Sequence, residues 1–153
     1  MLDTEIKQQL AQYLELMEGD IVLQVSAGKD ETSQNILKLV NELASMSSRI
    51  TVETAALERT PSFCVNRPNE NTGITFAGVP LGHEFTSLVM ALLQVSGRAT
   101  KKKKKIIDQI QGIQDQLHFE TYISLSWHNC PDVVQALNIM SVLNPNITHT
   151  MID

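Results

Sequence analysis

The stretch from Thr60 to Gly78, TPSFCVNRPNENTGITFAG, decides the fold of this chain. Its two ends, SFCVN (62–66) and ITFAG (74–78), have strand character, and the polar NRPNENTG between them is typical of a hairpin turn. Pro61 stands just before the first strand. Gly78 follows the second, where the chain has to turn sharply. These residues predict an antiparallel hairpin between two longer units.

The residues around the hairpin predict a parallel crossover before it and a covering helix after it. Leucine, isoleucine and methionine residues recur at helical spacing at the N-terminus, and the strand–helix–strand order that follows implies a right-handed crossover. The predicted elements are helix 2–17, strand 21–26, helix 33–46, strand 49–54, the two hairpin strands and helix 82–95. This is the topology of a complete thioredoxin-type lobe, a fold that places a cis proline at the position of Pro61.

A second unit begins after SGRAT (96–100) and repeats the opening half of the first. Its predicted elements are helix 101–115, strand 118–124, helix 131–143 and strand 147–152. The predicted fold class is therefore α/β, thioredoxin-like, with tandem lobes at 1–98 and 99–153. The first is complete and the second is an N-terminal half. An N-terminal half-lobe should leave one strand edge unpaired and half of its apolar core uncovered. We therefore expect the rest of the second lobe to lie beyond Asp153. A second copy could cover the edge, which makes a homodimer one alternative.

Composition excludes several classes of protein. The 153 residues carry a net charge of −5, which argues against a general nucleic-acid binder. No run reaches the roughly 18 apolar residues of a membrane span, and MLDTEIKQQL (1–10) is too polar for a signal peptide. Two cysteines are too few for a disulfide scaffold. We predict a cytoplasmic protein that binds neither membrane nor nucleic acid.

The run KKKKK (101–105) holds nearly half of the 12 basic residues. A solvated helix face is the simple interpretation, and a docking patch for an acidic partner is the sharper one. Cations at a helix N-terminus oppose the helix dipole, so we expect the first turn of this helix to fray.

The segment SLSWHNCPDVVQALN (124–138) has the shape of a redox site with one sulfur missing. A strand ends, a polar tripeptide follows, and a helix is predicted to open near Cys130 with Pro131 in its first turn. A Cys-x-x-Cys pair would sit at this corner, yet position 127 is Trp.

Three motifs carry a family resemblance that covers essentially the whole chain. FAGVPLGHEFTSLVMALL (76–93), FETYISLS (119–126) and HNCPDVVQALNIMSVLNP (128–145) resemble the N-terminal region of the flavoprotein component (AhpF) of bacterial alkyl hydroperoxide reductase. The resemblance implies two thioredoxin-like lobes, the second with a Cys-His-Asn-Cys disulfide. That disulfide would take electrons from a C-terminal body that binds FAD and NADH, and pass them to a peroxiredoxin partner. This chain has no GxGxxG motif, so no cofactor is expected on it.

Carried over residue by residue, the resemblance assigns Cys130 to the second, resolving cysteine. His128 and Asn129 match the intervening pair, and Pro131 matches the proline that follows. Trp127 takes the place of the attacking cysteine. A dithiol relay needs one thiolate to attack the partner disulfide and a second to release it, and an indole does neither.

We therefore expect this chain to lack dithiol–disulfide activity. Whether the chain by itself is an enzyme stays open. The alternative is a redox-dead thioredoxin-like module that binds a protein in the groove beside Thr60-Pro61. Cys130 itself has two interpretations, a small buried hydrophobe or a reactive monothiol remnant.

Other reactive side chains have simpler roles. Cys64, in the strand after Pro61, is expected to pack in the core. His83 is expected to cap a helix or lie on the surface rather than act as a base. The remaining histidines, at 118, 128 and 149, lack zinc-ligand spacing. Asp30 and Glu31 occupy the place of the first lobe's own cysteine pair, so that lobe is predicted to be structural or a docking module.

Overall fold

The computed structural model describes residues 2–124 and 131–153, and the predicted elements appear there in the predicted order. They are α1 (Thr4–Leu14), β1 (Ile21–Ser26), α2 (Glu31–Met46), β2 (Ile50–Thr54), β3 (Ser62–Asn66), β4 (Ile74–Ala77), a 3-10 turn (Gly82–Glu84), α3 (Phe85–Val95), α4 (Lys104–Gln111), β5 (Leu117–Tyr122), α5 (Pro131–Leu143) and β6 (Ile147–Ile152). Within these ranges no helix is both long enough and apolar enough to cross a membrane.

The strands form a single sheet in the order β2-β1-β3-β4-β6-β5. Strand β3 is antiparallel to both of its neighbours, and every other pairing is parallel. The peptide bond between Thr60 and Pro61 is cis, as the sequence predicted. The parallel crossover, the hairpin and the covering helix all follow the expected thioredoxin-type topology.

One face of the sheet carries the apolar core. Phe63 pairs with Phe76 across the hairpin, and their stacked rings lie 5.4 Å apart. Leu23 pairs with Val65 on the adjoining strand, and all four side chains are fully buried. Helices α2, α3 and α5 contribute buried residues to the same core, so a single core underlies the described sheet.

The second unit joins this core. Strand β6 pairs with β4 from Ile74↔His149 to Ala77↔Ile152, and α5 packs against α3. The expected half-exposed core is covered on one side only: α5 and β6 contribute buried residues to the core of the first unit, whereas no residue of α4 or β5 is buried. The expected exposed edge is found at β5. The boundary between 98 and 99 stays a prediction.

Helix α4 is shorter than predicted. It begins at Lys104 and ends at Gln111, whereas the sequence indicated 101–115. Lys101 and Lys102 precede the helix, and Lys103 is its N-cap without a side-chain cap hydrogen bond. The physical reason is the expected one, because cations are unfavourable at the positive end of a helix dipole.

Candidate functional site at the carboxyl edge of the sheet

The helices that follow the two predicted site positions, residues 31–46 and 131–143, begin at the same edge of the sheet. Strands β1, β2, β4, β5 and β6 all run in one direction, so their carboxyl ends meet at one edge. Helix α2 follows β1 and helix α5 follows β5, so both helices begin at that edge. In open α/β sheets this is the edge at which ligands and partners bind.

Four of the predicted site residues, Trp127, His128, Asn129 and Cys130, lie outside the described residues. Their proposed roles therefore stay predictions. Pro131 is the first residue of α5, as the sequence indicated, and it is half-buried.

A polar cavity of about 260 Å³ lies beside Pro61. The loop before β3, the start of α2 and the ends of β4 and β6 line it: Asp30, Thr32, Arg59, Thr60, Pro61, Ala77, Gly78, Ile152 and Asp153. The Thr60 and Ser26 hydroxyl oxygens are hydrogen-bonded at 2.5 Å, which ties the proline loop to the end of β1. The sequence predicted a groove beside Thr60-Pro61, and the structure has this cavity there.

The first lobe's own site position is held by a carboxylate. Asp30 is the N-cap of α2, where its carboxylate accepts hydrogen bonds from the Ser33 amide at 3.3 Å and the Ser33 hydroxyl at 2.5 Å. The Ser33 hydroxyl bond holds the pKa of Asp30 below its usual value. The Ser33 hydroxyl also accepts from the Gly28 amide at 2.8 Å. The helix terminus that stabilises a thiolate in a working thioredoxin fold here stabilises Asp30.

Sequence reasoning missed a buried carboxyl group at the start of α3. Glu84 is buried, and its Oε1 accepts a hydrogen bond from the Ser87 hydroxyl at 2.7 Å. Its Oε2 has no partner among the residues that the structure describes. Gln135 Nε2 lies 3.4 Å from the Ser87 hydroxyl, which links this group to the second turn of α5. The sequence did offer an indication, because Glu84 is a single acidic residue directly before the apolar run FTSLVMALL (85–93). The neighbouring His83 was considered instead.

Cys64 is buried on β3, as expected for a packing residue. Its Sγ lies 3.2 Å from the Thr75 hydroxyl, and burial raises the pKa of its thiol. A thiol with a raised pKa is a poor nucleophile near neutral pH. This cysteine is therefore unsuited to electron transfer.

The histidines on β5 and β6 are partnered by hydroxyl and amide groups. His149 is fully buried, with Nδ1 at 2.7 Å from the Asn138 side-chain oxygen and Nε2 at 2.8 Å from the Thr121 hydroxyl. His118 Nδ1 lies 2.7 Å from the Thr148 hydroxyl. Across 2–124 and 131–153, no three histidine, cysteine or acidic side chains gather as a metal site.

An ion pair connects the proline loop to the second unit. The Arg59 guanidinium donates to Glu120 Oε2 at 2.9 Å, and this bond lowers the pKa of Glu120. The Tyr122 hydroxyl approaches the other oxygen of Glu120 at 3.4 Å. The loop before β3 is thus attached to the outermost strand, β5.

No family model matches the chain. Individual proteins of similar sequence do match it over its full length. A protein of Staphylococcus epidermidis, named as the F subunit of alkyl hydroperoxide reductase, is 63% identical over all 153 residues. The chain is a homologue of the N-terminal region of AhpF, the F subunit of alkyl hydroperoxide reductase. A protein of Ferdinandcohnia aciditolerans named NADH dehydrogenase is 71% identical over the same residues. The chain spans 30% of the length of each of these two relatives.

A solved structure supports the same relationship. The NTD_N/C domain of the alkyl hydroperoxide reductase AhpF from Enterococcus faecalis superimposes with a TM-score of 0.90 at 28% identity. The match covers 100% of this chain and 80% of that one. The predicted thioredoxin-like fold class and the resemblance to AhpF are both confirmed.

Proposed function

We propose that this chain is the N-terminal electron-relay region of a peroxiredoxin reductase, and that Trp127 leaves it without dithiol–disulfide exchange. The main observation that supports this proposal is the 63% identity to an AhpF protein over all residues of the chain. In the proposed parent, a C-terminal body that binds FAD and NADH supplies the electrons, and a peroxiredoxin partner in the cytoplasm receives them. No cofactor binds to this chain itself.

The proposed chemistry accounts for the expected loss of activity. In a working relay, a thiolate at position 127 attacks the partner disulfide, forms a mixed disulfide and expels one partner thiolate. The Cys130 thiolate then attacks the sulfur at position 127, which releases the second partner thiolate and closes a new disulfide. Two electrons pass to the partner. With Trp127 the first bond does not form.

A direct test restores the missing sulfur. In a Cys64→Ser background, Trp127→Cys should acquire a reversible disulfide with Cys130 after mild oxidation with glutathione disulfide. Counting free thiols by maleimide alkylation and mass spectrometry should then give two thiols before oxidation and none after. The reduced variant should also reduce the disulfide of an alkyl-hydroperoxide-type peroxiredoxin.

The Cys64→Ser chain without the second change is the matched control, and we expect it to transfer no electrons to the peroxiredoxin. Persistent free thiols in the Trp127→Cys variant after oxidation would contradict the relay assignment. Electron transfer by the control would contradict the assigned inactivity. An alkylation pKa of Cys130 clearly below the ordinary ~8.5 would identify a surviving monothiol.

The second candidate function is a redox-dead thioredoxin-like module that holds a protein partner. Trp127 in the sequence and the polar cavity beside Pro61 favour it. Aromatic residues, tryptophan included, are enriched at protein interfaces. If the unmodified chain binds a peroxiredoxin and the Trp127→Ala variant does not, the result would support the binding module over the relay.

A further inference from the structure

The largest groove in the described part of the chain lies away from the proline cavity. It has a volume of about 760 Å³ and runs between α1, α3, α5 and the linker before α4. Its walls come from both sequence units, with Tyr13 and Leu16 near the end of α1, Met90 and Leu93 on α3, and Ile139 on α5. A groove between helices is the usual receptor for an amphipathic segment.

The apolar side of this groove is open to solvent. Tyr13 and Leu16 are 44% and 42% exposed, although both side chains are large and apolar. Met90 and Leu93 beside them are half-buried. Two such side chains next to further apolar surface offer anchoring positions for apolar residues of a partner.

The other side of the groove is basic. Arg98, Lys101 and Lys102 line it and are exposed. They belong to the segment 98–105, which holds six of the chain's 12 basic residues although the net charge is −5. Within that segment, Lys104 forms an ion pair with Asp108 at 3.6 Å. Among residues 2–124 and 131–153, Lys101 and Lys102 find no ion-pair partner. Asp132, in the first turn of α5, also lines the groove.

We propose that this groove binds an acidic amphipathic segment of a partner protein. Apolar side chains of the segment would pack on Tyr13, Leu16 and Leu93, and its carboxylates would face Arg98, Lys101 and Lys102. The charges would set the orientation of the segment, because its carboxylates are attracted to the basic residues and repelled by Asp132 on α5. This proposal needs no thiol chemistry, so it is independent of the proposed relay.

The test uses labelled peptides and the full chain. The probe is a fluorescein-labelled amphipathic peptide of roughly 14 residues, with leucines at i, i+3, i+4 and i+7, three or four glutamates that are not spaced i,i+4, and alanines elsewhere. The comparison peptide carries lysine at every glutamate position. We expect the acidic peptide to bind, the basic peptide to fail, and the affinity to fall as salt rises from low to physiological concentration.

Two pairs of matched variants locate the binding site. Leu16→Ser and the double change Lys101→Glu with Lys102→Glu should each weaken binding by roughly tenfold or more. Ile106→Ser removes an apolar side chain of nearly equal exposure, 43%, that does not line the groove. Lys29→Glu with Lys38→Glu makes the same charge change at exposed positions elsewhere. Both controls should bind as the parent does.

Several outcomes would overturn the proposal. They are no binding of the acidic peptide, equal binding of both peptides, or equal losses in the groove variants and their controls. Tighter binding to phosphatidylglycerol vesicles than to the peptide would assign the basic rim to a lipid surface. Concentration-dependent dimerisation abolished by Leu16→Ser would assign the groove to a second copy. Circular dichroism of each variant separates lost binding from lost folding.

Discussion

At the scale of single residues, His149 is the most constrained ionisable group on β6. Its ring is fully buried, and its two nitrogens are hydrogen-bonded to Asn138 and Thr121. Burial lowers the pKa of His149 to about 4, and the charge of His118 on the neighbouring strand acts in the same direction. The neutral ring is therefore the form that connects β6 to β5 and α5.

We predict that this histidine makes the folded state sensitive to acid. Its pKa is about 4 when folded, and an unfolded histidine has a pKa near 6.5. Between these two pH values the histidine is protonated in the unfolded chain but neutral in the folded one. The contribution of the buried His149 ring to stability is therefore complete above pH ~6.5 and is lost as the pH falls towards 4. A shift of this size corresponds to about 3 kcal/mol in the free energy of unfolding.

Urea unfolding of the parent and of His149→Gln across this pH range measures the effect. Carboxylates titrate in both proteins, so the difference between the two curves isolates His149. The difference should shrink as the pH falls. Parallel curves for the parent and His149→Gln would show that protonation of this ring is not coupled to unfolding.

At the scale of elements, the start of α2 is held by a side-chain cap. A helix leaves its first amide groups without partners, and in this helix the Asp30 carboxylate accepts from one of them. Ser33 is fully buried and connects the carboxylate to the Gly28 amide. The segment that would carry a redox pair is built as a helix cap.

We predict that Ser33→Ala lowers the free energy of unfolding by about 1–2 kcal/mol, because the Gly28 amide and the Asp30 carboxylate each lose a hydrogen-bond partner. Ser45→Ala is the matched control, since Ser45 is an exposed serine in the last turn of the same helix. It should change stability by less than about 0.5 kcal/mol. Equal losses in the two variants, measured by thermal and urea unfolding, would rule out a special role for the cap network.

At the scale of the whole molecule, the two sequence units share one sheet. The β4–β6 pairing and helix α5 place residues of the second unit in the core of the first, and Val134 and Met151 are fully buried there. The ion pair between Arg59 and Glu120 adds a second connection across the sheet. Pairing at the free edge of β4 removes an exposed edge that would otherwise invite aggregation.

We predict that the second unit does not fold without the first. A peptide of residues 99–153 should be unfolded by circular dichroism, because an isolated pair of strands is only marginally stable in water. Residues 1–98 should fold alone. Adding 99–153 to it should restore the helix and strand signal of the whole chain. Cooperative thermal unfolding of 99–153 on its own would contradict this dependence.

Individual residues show which parts of the fold and the site could be predicted from the sequence. The hairpin was predicted correctly from its turn residues, and the cis bond at Pro61 from the thioredoxin-type topology that those elements implied. Pro131 was also placed correctly at the start of α5. Glu84 was not found, because its burial depends on how α3 and α5 pack and no local pattern records that contact.

The sequence by itself determined the elements, their order, the parallel crossover and the antiparallel hairpin. Each of these follows from periodicity, turn residues and chain direction, which are local properties. Only the tertiary structure decided that β6 completes the edge of β4, that a buried Ser33 connects the Asp30 carboxylate to the Gly28 amide, and that an apolar groove meets the lysine run. Those features depend on contacts between residues far apart in the chain, where burial and pairing outweigh local preference.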